Sequence, residues 1–496
     1  MDSPAPAPLP ASRPLFLLSL AGLVLLAAGY AWLLQRHTSP YAGGADSSGY
    51  LNSAALLRDG LFATPARTLP DHTATAFGHK ALMPLGFVMQ PGTDRLVPSY
   101  PLGLPLHLAA FSVLGGLDRA VIPLNLCSAL AAAVLLYLLA RRLELSRLSA
   151  LAGVAVLLLC PLFLFSALQP MSDLLALAWA LAALYAALRA REKSGWAGLC
   201  GLAVAMAVLI RPTNLLLALP VILALGTRWR CYLWAGLGGL PGALLLALYN
   251  REIYGAPFAT GYGQVWAVFS PDYALPNLLH FARWIPLLLT PLVVAGLVTP
   301  FTPTAHRRDF LVLATWAVLL IGFYAFYYHS GETWWYLRFI LPAFPVLILA
   351  TLLGGHALTA TLRRRHLLWI ILFAACLGWE TVLLRRLGVL EMKSGETTYP
   401  DAAAWARQHL PGNAAIFCMQ VSGALFYYTD FLIIRWDLAE TGPLFPALRE
   451  QHRPVYALLY GYEEADARRR LGGNWTRLAE VGQATAWKID LVPATP

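Results

Sequence analysis

Residues 147–193 read RLSALAGVAVLLLCPLFLFSALQPMSDLLALAWALAALYAALRAREK. Two apolar runs flank a short polar joint at residues 169–173, and basic residues stand at both ends of the stretch. The stretch is long enough for two α-helices of about 20 residues each, the length that crosses the hydrocarbon of a bilayer. Because basic joints stay on the cytoplasmic side of a membrane, this pattern predicts two membrane-spanning helices that are connected on the outer side.

The composition of the whole chain is that of a membrane protein. Of its 496 residues, 58% are hydrophobic and 12% are charged, and the mean hydropathy is +0.60. Soluble domains carry about 25% charged residues, so a water-soluble enzyme, a disordered protein and a nucleic-acid binder are excluded. Lys and Arg number 36 against 26 Asp and Glu, and the resulting net charge of +10 is explained by arginines that flank membrane spans.

Clusters of basic residues divide the rest of the chain into spans. Five joints carry them: Arg141, Arg142 and Arg147; Arg189, Arg191 and Lys193; Arg228 and Arg230; Arg307 and Arg308; Arg363, Arg364 and Arg365. Placing all five in the cytoplasm requires two spans between consecutive clusters. With further spans at residues 15–34, 120–140 and 367–384, the sequence predicts about 11 transmembrane helices. Residues 102–117 are too short to cross and are predicted as an interfacial or re-entrant helix.

Beyond residue 386 the composition changes to that of a soluble domain. Residues 387–496 are predicted to form a small α/β domain, with helices at 399–410 and 463–471 and strands at 414–419, 431–436, 455–460 and 485–489. Residues 1–386 form the membrane domain, which includes a long first outer loop at 37–118. The parity of the spans places the C-terminal domain outside the cytoplasm.

Three ionisable residues on the predicted outer side are candidates for chemistry. Asp46 follows the first span and opens a short helix that Gly60 would end. It is either the N-cap of that helix or a base whose carboxylate the helix N-terminus keeps ionised. Asp173 begins a later span, where capping and function are equally open. Arg211 lies at an outer helix end, and a cation there invites an anionic partner.

Several short motifs on the outer side resemble one family when they are taken in order. These are the first-loop Asp46 with its short helix, Tyr100-Pro-Leu-Gly-Leu-Pro-Leu106, Asp173 at the head of a span, Arg211-Pro-Thr-Asn214, Asn250-Arg-Glu-Ile-Tyr-Gly-Ala-Pro-Phe-Ala-Thr-Gly-Tyr-Gly263, and Arg338-Phe-Ile-Leu-Pro-Ala-Phe-Pro345. Together they resemble the GT-C glycosyltransferases of bacteria. The branch to which they are most similar holds the protein O-mannosyltransferases and the lipid A aminoarabinose transferases.

The resemblance implies an inverting transfer of a sugar from a polyprenyl-phosphate-linked donor at the outer face of the membrane. By position, Asp46 corresponds to the family's catalytic base and Asp173 to its second acidic residue. A phosphate leaving group needs cations to neutralise its charge and no general acid. The resemblance assigns donor and phosphate binding to Lys80, Arg211, Arg338, Tyr50 and Tyr100, and Arg283 is a further outer cation.

Other outer residues allow two interpretations each. Glu332 and His329 either contact the donor sugar or a metal, or they cap a helix in an aromatic interfacial belt. Asp71, His72 and His79 either ligate a metal or lie near one another by accident in a flexible loop. No cofactor is assigned, and a divalent metal stays open.

A transporter or flippase of lipid-linked glycans is the alternative function. Transporters carry charges near the middle of the membrane, whereas the ionisable residues here gather on one face, which favours surface chemistry. A non-catalytic scaffold is a third interpretation. The predicted location is the bacterial inner (plasma) membrane, in contact with membrane lipids. The acceptor, a lipid, a glycan or a protein, is left open.

Overall fold

The computed structural model describes residues 13–78, 80–302 and 306–491, and most of the first 386 residues are helical. In chain order the helices of this part are α1 Arg13–His37, α2 Gly44–Arg58, α3 Gly103–Phe111, α4 Leu117–Arg142, α5 Arg147–Leu159, α6 Pro161–Ala167, α7 Ser172–Arg189, α8 Trp196–Ile210, α9 Ala218–Leu225, α10 Trp229–Tyr254, α11 Ala274–Leu288, α12 Arg307–Ala325, α13 Phe344–Leu358 and α14 Arg365–Arg386. The longer 3₁₀ helices are Pro212–Leu217, Pro291–Phe301 and Trp334–Ala343.

The described residues contain six helices that are long and apolar enough to cross a membrane: Leu117–Arg142, Ser172–Arg189, Trp229–Tyr254, Arg307–Ala325, Trp334–Leu358 and Arg365–Arg386. Two bent pairs, Arg147–Leu159 with Pro161–Ala167 and Pro271–Leu288 with Pro291–Phe301, raise the number to eight if each is one span. A polytopic helical membrane protein is thus confirmed, but with fewer clear spans than the 11 predicted. Part of the difference arises because Trp196–Ile210 and Pro212–Leu225 are shorter than a straight crossing needs.

The first loop contains more structure than the sequence indicated. After α2, the strands β1 Thr64–Pro65, β2 Phe87–Met89 and β3 Arg95–Pro98 form an antiparallel sheet in the order β1-β3-β2. The predicted short helix at residues 102–117 is present as α3, followed by one 3₁₀ turn at Ser112–Leu114. The strands are only two to four residues long, so they carry no alternating apolar pattern that could reveal them.

The C-terminal residues form a mixed α/β domain, as predicted. Its elements are α15 Met392–Glu396, α16 Thr398–His409, β4 Ala415–Cys418, α17 Ser422–Tyr428, β5 Leu432–Arg435, α18 Thr441–Glu450, β6 Val455–Tyr460, α19 Gly461–Leu471, β7 Asn474–Val481 and β8 Ala484–Asp490. The sheet order is β5-β4-β6-β8-β7; β4 pairs in parallel with β5 and β6, and β8 pairs antiparallel with β6 and β7. The sequence did not predict α15, α17, α18 or the largely exposed strand β7.

The first loop and the C-terminal domain share a hydrophobic core. Leu69 and Phe77 of the loop are almost fully buried among Phe417, Ile434 and other apolar residues of the sheet. Arg67 of the loop adds hydrogen bonds of 3.2 and 3.0 Å to two carbonyl oxygens of the C-terminal domain. Because α2 begins this loop, the C-terminal domain helps to fix where α2 lies.

Candidate active site

Asp46 lies in the first turn of α2. The helix begins at Gly44, its N-cap is Gly43, and no side chain makes a capping hydrogen bond there. The interpretation of Asp46 as the N-cap is therefore wrong. The positive end of the helix dipole still stabilises the charged form of its carboxylate. The helix ends at Arg58, just before Gly60, whose φ of 73° is typical of a helix stop.

Two side chains hold the carboxylate of Asp46. The hydroxyl of Tyr100 donates to Oδ1 at 2.6 Å, and Nη2 of Arg338 donates to Oδ2 at 2.5 Å. Burial raises the pKa of Asp46, but the charge of Arg338 and these hydrogen bonds outweigh burial and hold the pKa below its usual range. The carboxylate is therefore ionised, as a base must be before it accepts a proton.

Tyr100 reaches Asp46 because α2 has no side chain at position 49. A Cβ atom at Gly49 would lie 2.4 Å from the ring of Tyr100 and 3.0 Å from Cα of Gly86. Burial and the nearby charge of Asp46 raise the pKa of the Tyr100 hydroxyl, so it stays protonated and can donate.

Asp173 is the second carboxylate of the site. Nη2 of Arg211 lies 2.7 Å from its Oδ1, and Nη1 of Arg338 lies 3.9 Å from its Oδ2. The N-cap of α7 is Met171, and no side-chain capping bond is formed, so the capping interpretation of Asp173 is also wrong. Arg338 contacts both carboxylates and thus joins α2, α7 and the 3₁₀ helix Trp334–Ala343 at one point.

Tyr50 lies beside the same residues. Its hydroxyl donates to Oγ of Ser172 at 2.9 Å, and the same Oγ accepts a bond from Nε of Arg211 at 3.0 Å. The rings of Tyr50 and Tyr100 lie 4.7 Å apart between centroids. The structure therefore brings together six of the seven site residues predicted from the sequence: Asp46, Tyr50, Tyr100, Asp173, Arg211 and Arg338, here called the Asp46 cluster.

Four further residues of this site were not assigned from the sequence. Ser172 bridges Tyr50 and Arg211, and Phe339 lies under both guanidinium groups of the cluster, at 5.5 and 5.2 Å from its ring centroid. Tyr262 packs edge-on against Tyr100, and Tyr324 donates to Thr213, two residues after Arg211. Ser172 and Phe339 stand next to predicted residues, which is a usable signal. Tyr324 lies within an apolar helix, where no neighbouring residue gives such a signal.

Comparisons with known proteins show what the fold around this site resembles. Residues 99–249, which contain Tyr100, Asp173 and Arg211, match the family model described as dolichyl-phosphate-mannose-protein mannosyltransferase. ArnT from Cupriavidus metallidurans bound to undecaprenyl phosphate has a similar structure, with a TM-score of 0.57 over 96% of this chain and 98% of that chain, at 14% sequence identity. The chain therefore has the fold of the GT-C membrane glycosyltransferases, and residues 99–249 resemble the mannosyltransferase family.

Two other solved structures resemble this chain. The oligosaccharyltransferase of Archaeoglobus fulgidus gives a TM-score of 0.52 over 94% of this chain and 74% of that chain, at 12% identity. The arabinofuranosyltransferase AftD from Mycobacteria gives 0.56 over 94% of this chain and 41% of that chain, at 14% identity. No curated protein matches the chain in sequence. At these identities the structural likeness establishes the fold.

Other candidate residues lie apart from the Asp46 cluster. Lys80 is exposed on a turn against the C-terminal domain, where the neighbouring carbonyl of Ala81 accepts a bond from the amide of Arg435. No described contact joins Lys80 to the cluster. Arg283 is exposed on α11, where it lies over Trp284.

The remaining polar candidates pair locally. His329 and Glu332 contact each other at 2.5 Å, and Nδ1 of His72 donates to the carbonyl of Pro70. His79 lies outside the described residues. Among the residues that the structure describes, no three His, Cys, Asp or Glu side chains are grouped as metal ligands would be.

Proposed function

We propose that the protein transfers a sugar, with inversion, from a polyprenyl-phosphate-linked donor to a hydroxyl group of an acceptor at the outer face of the membrane. The observation that carries the proposal is the convergence of Asp46 and Asp173 on Arg338, with Arg211 beside them. The relatives add support, since ArnT was solved with undecaprenyl phosphate and AftD is an arabinofuranosyltransferase.

In the proposed reaction Asp46 is the general base. Its carboxylate takes the proton of the acceptor hydroxyl while the hydroxyl oxygen forms a bond to the anomeric carbon. The bond between that carbon and the phosphate oxygen breaks on the opposite face, and polyprenyl phosphate leaves with the electron pair. Attack from the face opposite the leaving group inverts the anomeric carbon.

The arginines of the cluster would bind the phosphate of the donor. Nε of Arg338 is buried and has no hydrogen-bond partner among the described residues, so one donor of this guanidinium is uncommitted. Arg211 lies on the other side of Asp173 and supplies a second positive charge. Both charges stabilise the phosphate as negative charge develops on it in the transition state. Asp173 would keep the two guanidinium groups in place.

Tyr50 and Tyr100 would line the donor site through their contacts with Ser172 and Asp46. Lys80 is proposed as a further phosphate contact, and its position in the first loop is the only support for this role. We also propose that the chain crosses the membrane 11 times and that its C-terminal domain is extracytoplasmic. The membrane is proposed to be the bacterial inner membrane. The predicted segments 15–34, 120–140 and 367–384 each lie within one helix, which supports this part of the proposal.

Replacement of Asp46 by Asn tests the proposed base. Purified protein in lipid nanodiscs is supplied with polyprenyl-phosphate-linked pentoses or hexoses together with lipid, glycan or peptide acceptors, and the release of polyprenyl phosphate is measured. Asp46→Asn is expected to lower the rate by about 10²- to 10⁴-fold, the usual contribution of a general base. Asp59→Asn is the matched control, because Asp59 follows the same helix and is exposed beside Arg58. Full activity of Asp46→Asn would remove Asp46 from this role.

A further inference from the structure

We propose that the C-terminal domain positions the catalytic base, by clamping the first two turns of α2 on both sides of Asp46. The inference rests on the proposed role of Asp46 and gives the domain a part in catalysis, although the domain contributes no residue to the Asp46 cluster. The contacts that make the clamp come from α15, α16 and α17 and reach α2 before and after Asp46.

The first side of the clamp holds the residues just before the helix. The amide of Ala42 donates to the hydroxyl of Tyr428 at 3.1 Å. A Cβ atom at Gly43 would lie 1.8 Å from Oε2 of Glu396 and 3.0 Å from the ring of Tyr399. The C-terminal domain therefore packs directly on the backbone at the start of α2, and a side chain at position 43 would require Glu396 to move.

The second side of the clamp lies one turn further along. A Cβ atom at Gly423 of α17 would lie 2.1 Å from Oγ of Ser48 and 2.8 Å from the carbonyl oxygen of Leu85. Nδ2 of Asn52 donates to the carbonyl of Gly423 at 3.0 Å, and the amide of Leu85 donates to Oγ of Ser422 at 3.1 Å. The α17 backbone thus seats α2 through a glycine that leaves space for Ser48.

Asp46 lies between these two contact regions, so its backbone cannot shift unless one of them opens. Its side chain must meet Arg338, which comes from a different part of the chain, 292 residues further on. A displacement of about 1 Å in a catalytic group can lower the rate by about 10²-fold. Since the membrane helices hold Arg338 and the C-terminal domain holds α2, the domain sets the distance between base and arginine.

The test replaces Gly423 by Ala in the full chain in nanodiscs. The matched control is Gly442→Ala in the same domain, because a Cβ atom at Gly442 would meet nothing within 4 Å. Gly423→Ala is expected to lower kcat by about 10- to 100-fold, with little change in KM for the polyprenyl-phosphate-linked donor and an unfolding temperature close to that of Gly442→Ala. Equal kcat values for the two folded variants would overturn the proposal.

A second substitution separates a positioning effect from general damage. Ser48→Gly removes the Ser48 atoms that the new methyl group would strike and leaves the carbonyl oxygen of Leu85 in place. It is therefore expected to restore part of the kcat lost in Gly423→Ala. If Gly423→Ala does not fold, Asn52→Ala takes its place. It removes the bond from Nδ2 to the Gly423 carbonyl together with the bond from the same atom to the Ser48 carbonyl within α2. Unchanged kcat in this variant would equally refute the clamp. Asp46→Asn is assayed in parallel. Full activity of that variant would show that the proposed base is wrong, whereas a defect in Asp46→Asn alone would refute only the clamp.

Discussion

Arg338 is the side chain on which the arrangement of the site depends most. It contacts Asp46 and Asp173, and only 11% of its side chain is exposed. Its removal would leave two carboxylates without their shared cation. Arg338→Ala is therefore expected to abolish transfer and to lower the free energy of unfolding by about 3–5 kcal/mol, the usual cost of breaking a buried ion pair. Thermal unfolding and transfer assays check this; Arg283→Ala, at an exposed position, serves as the control. Equal unfolding temperatures for the two variants would contradict the expectation.

The hydrogen bond from Tyr100 to Asp46 is expected to control the pH range of the enzyme. Burial raises the pKa of Asp46, and the charge of Arg338 together with the bonds from Tyr100 and Arg338 lowers it by more. A base works only while it is deprotonated, so activity should persist as pH falls until this lowered pKa is reached. Tyr100→Phe removes one donor to the charged form and raises the pKa. The acid limb of the kcat/KM profile should move to higher pH, and an unmoved limb would exclude this coupling.

The sequence indicated which of these residues would lie together better than it indicated their local contacts. Asp46 and Asp173 were each compatible with helix capping, because an Asp before an apolar run is a common N-cap. Both instead lie inside the first turn of their helices and bind arginines from elsewhere in the chain. Arg338 follows Asp46 by 292 residues, and no local pattern predicts such a pairing.

At the scale of elements, the helices α8 and α10 pack through small residues. A Cβ atom at Gly201 of α8 would lie 1.8 Å from the carbonyl oxygen of Ala235, and one at Gly238 of α10 would lie 1.9 Å from that of Gly198. Glycines that bring two helical backbones this close are typical of membrane helix interfaces. The packing matters for the site because α8 ends at Ile210, directly before Arg211.

Two neighbouring glycines of α10 allow a matched test of this interface. Gly238→Ala is expected to destabilise the protein by about 1–3 kcal/mol, since overpacking forces the helices apart. Gly236→Ala is expected to have no such cost, because a Cβ atom there would meet nothing within 4 Å. Thermal unfolding of both variants checks the difference, and the separation of α8 should also reduce transfer in Gly238→Ala. Identical unfolding temperatures would show that α8 and α10 are packed less tightly than these distances indicate.

Helices were predictable from the sequence where they consist of a long, uninterrupted apolar run. The span at residues 120–140 lies within α4, and the last span lies within α14. The number of clear spans was not predictable, because charge clusters fix parity and say nothing of how straight each segment is. Bends such as the 61° between Arg147–Leu159 and Pro161–Ala167 depend on packing as well as on Pro161.

At the scale of the whole molecule, the change of composition at residue 387 does not coincide with a boundary in packing. Composition separates apolar spans from a soluble domain, but it cannot show which loop completes the core of that domain. Leu69, Phe77, Ala81 and Leu82 of the first loop are buried against the C-terminal sheet. The division into residues 1–386 and 387–496 stays a prediction, and the shared core bears directly on it.

The shared core predicts that residues 387–496 alone lack a complete fold. Without the first loop, apolar side chains such as Ile434 and Leu448 would lose part of their cover, and the exposed surface would be prone to association. The isolated fragment is expected to keep far-UV circular dichroism, to lose near-UV signals and to bind an apolar dye.

In the full chain, amides of β1 to β3 and of β4 to β6 should be protected from hydrogen exchange to similar degrees. A fragment with a sharp thermal transition and native near-UV signals would instead establish an independent domain. In that case the clamp on α2 would be a docking contact between two separately folded units.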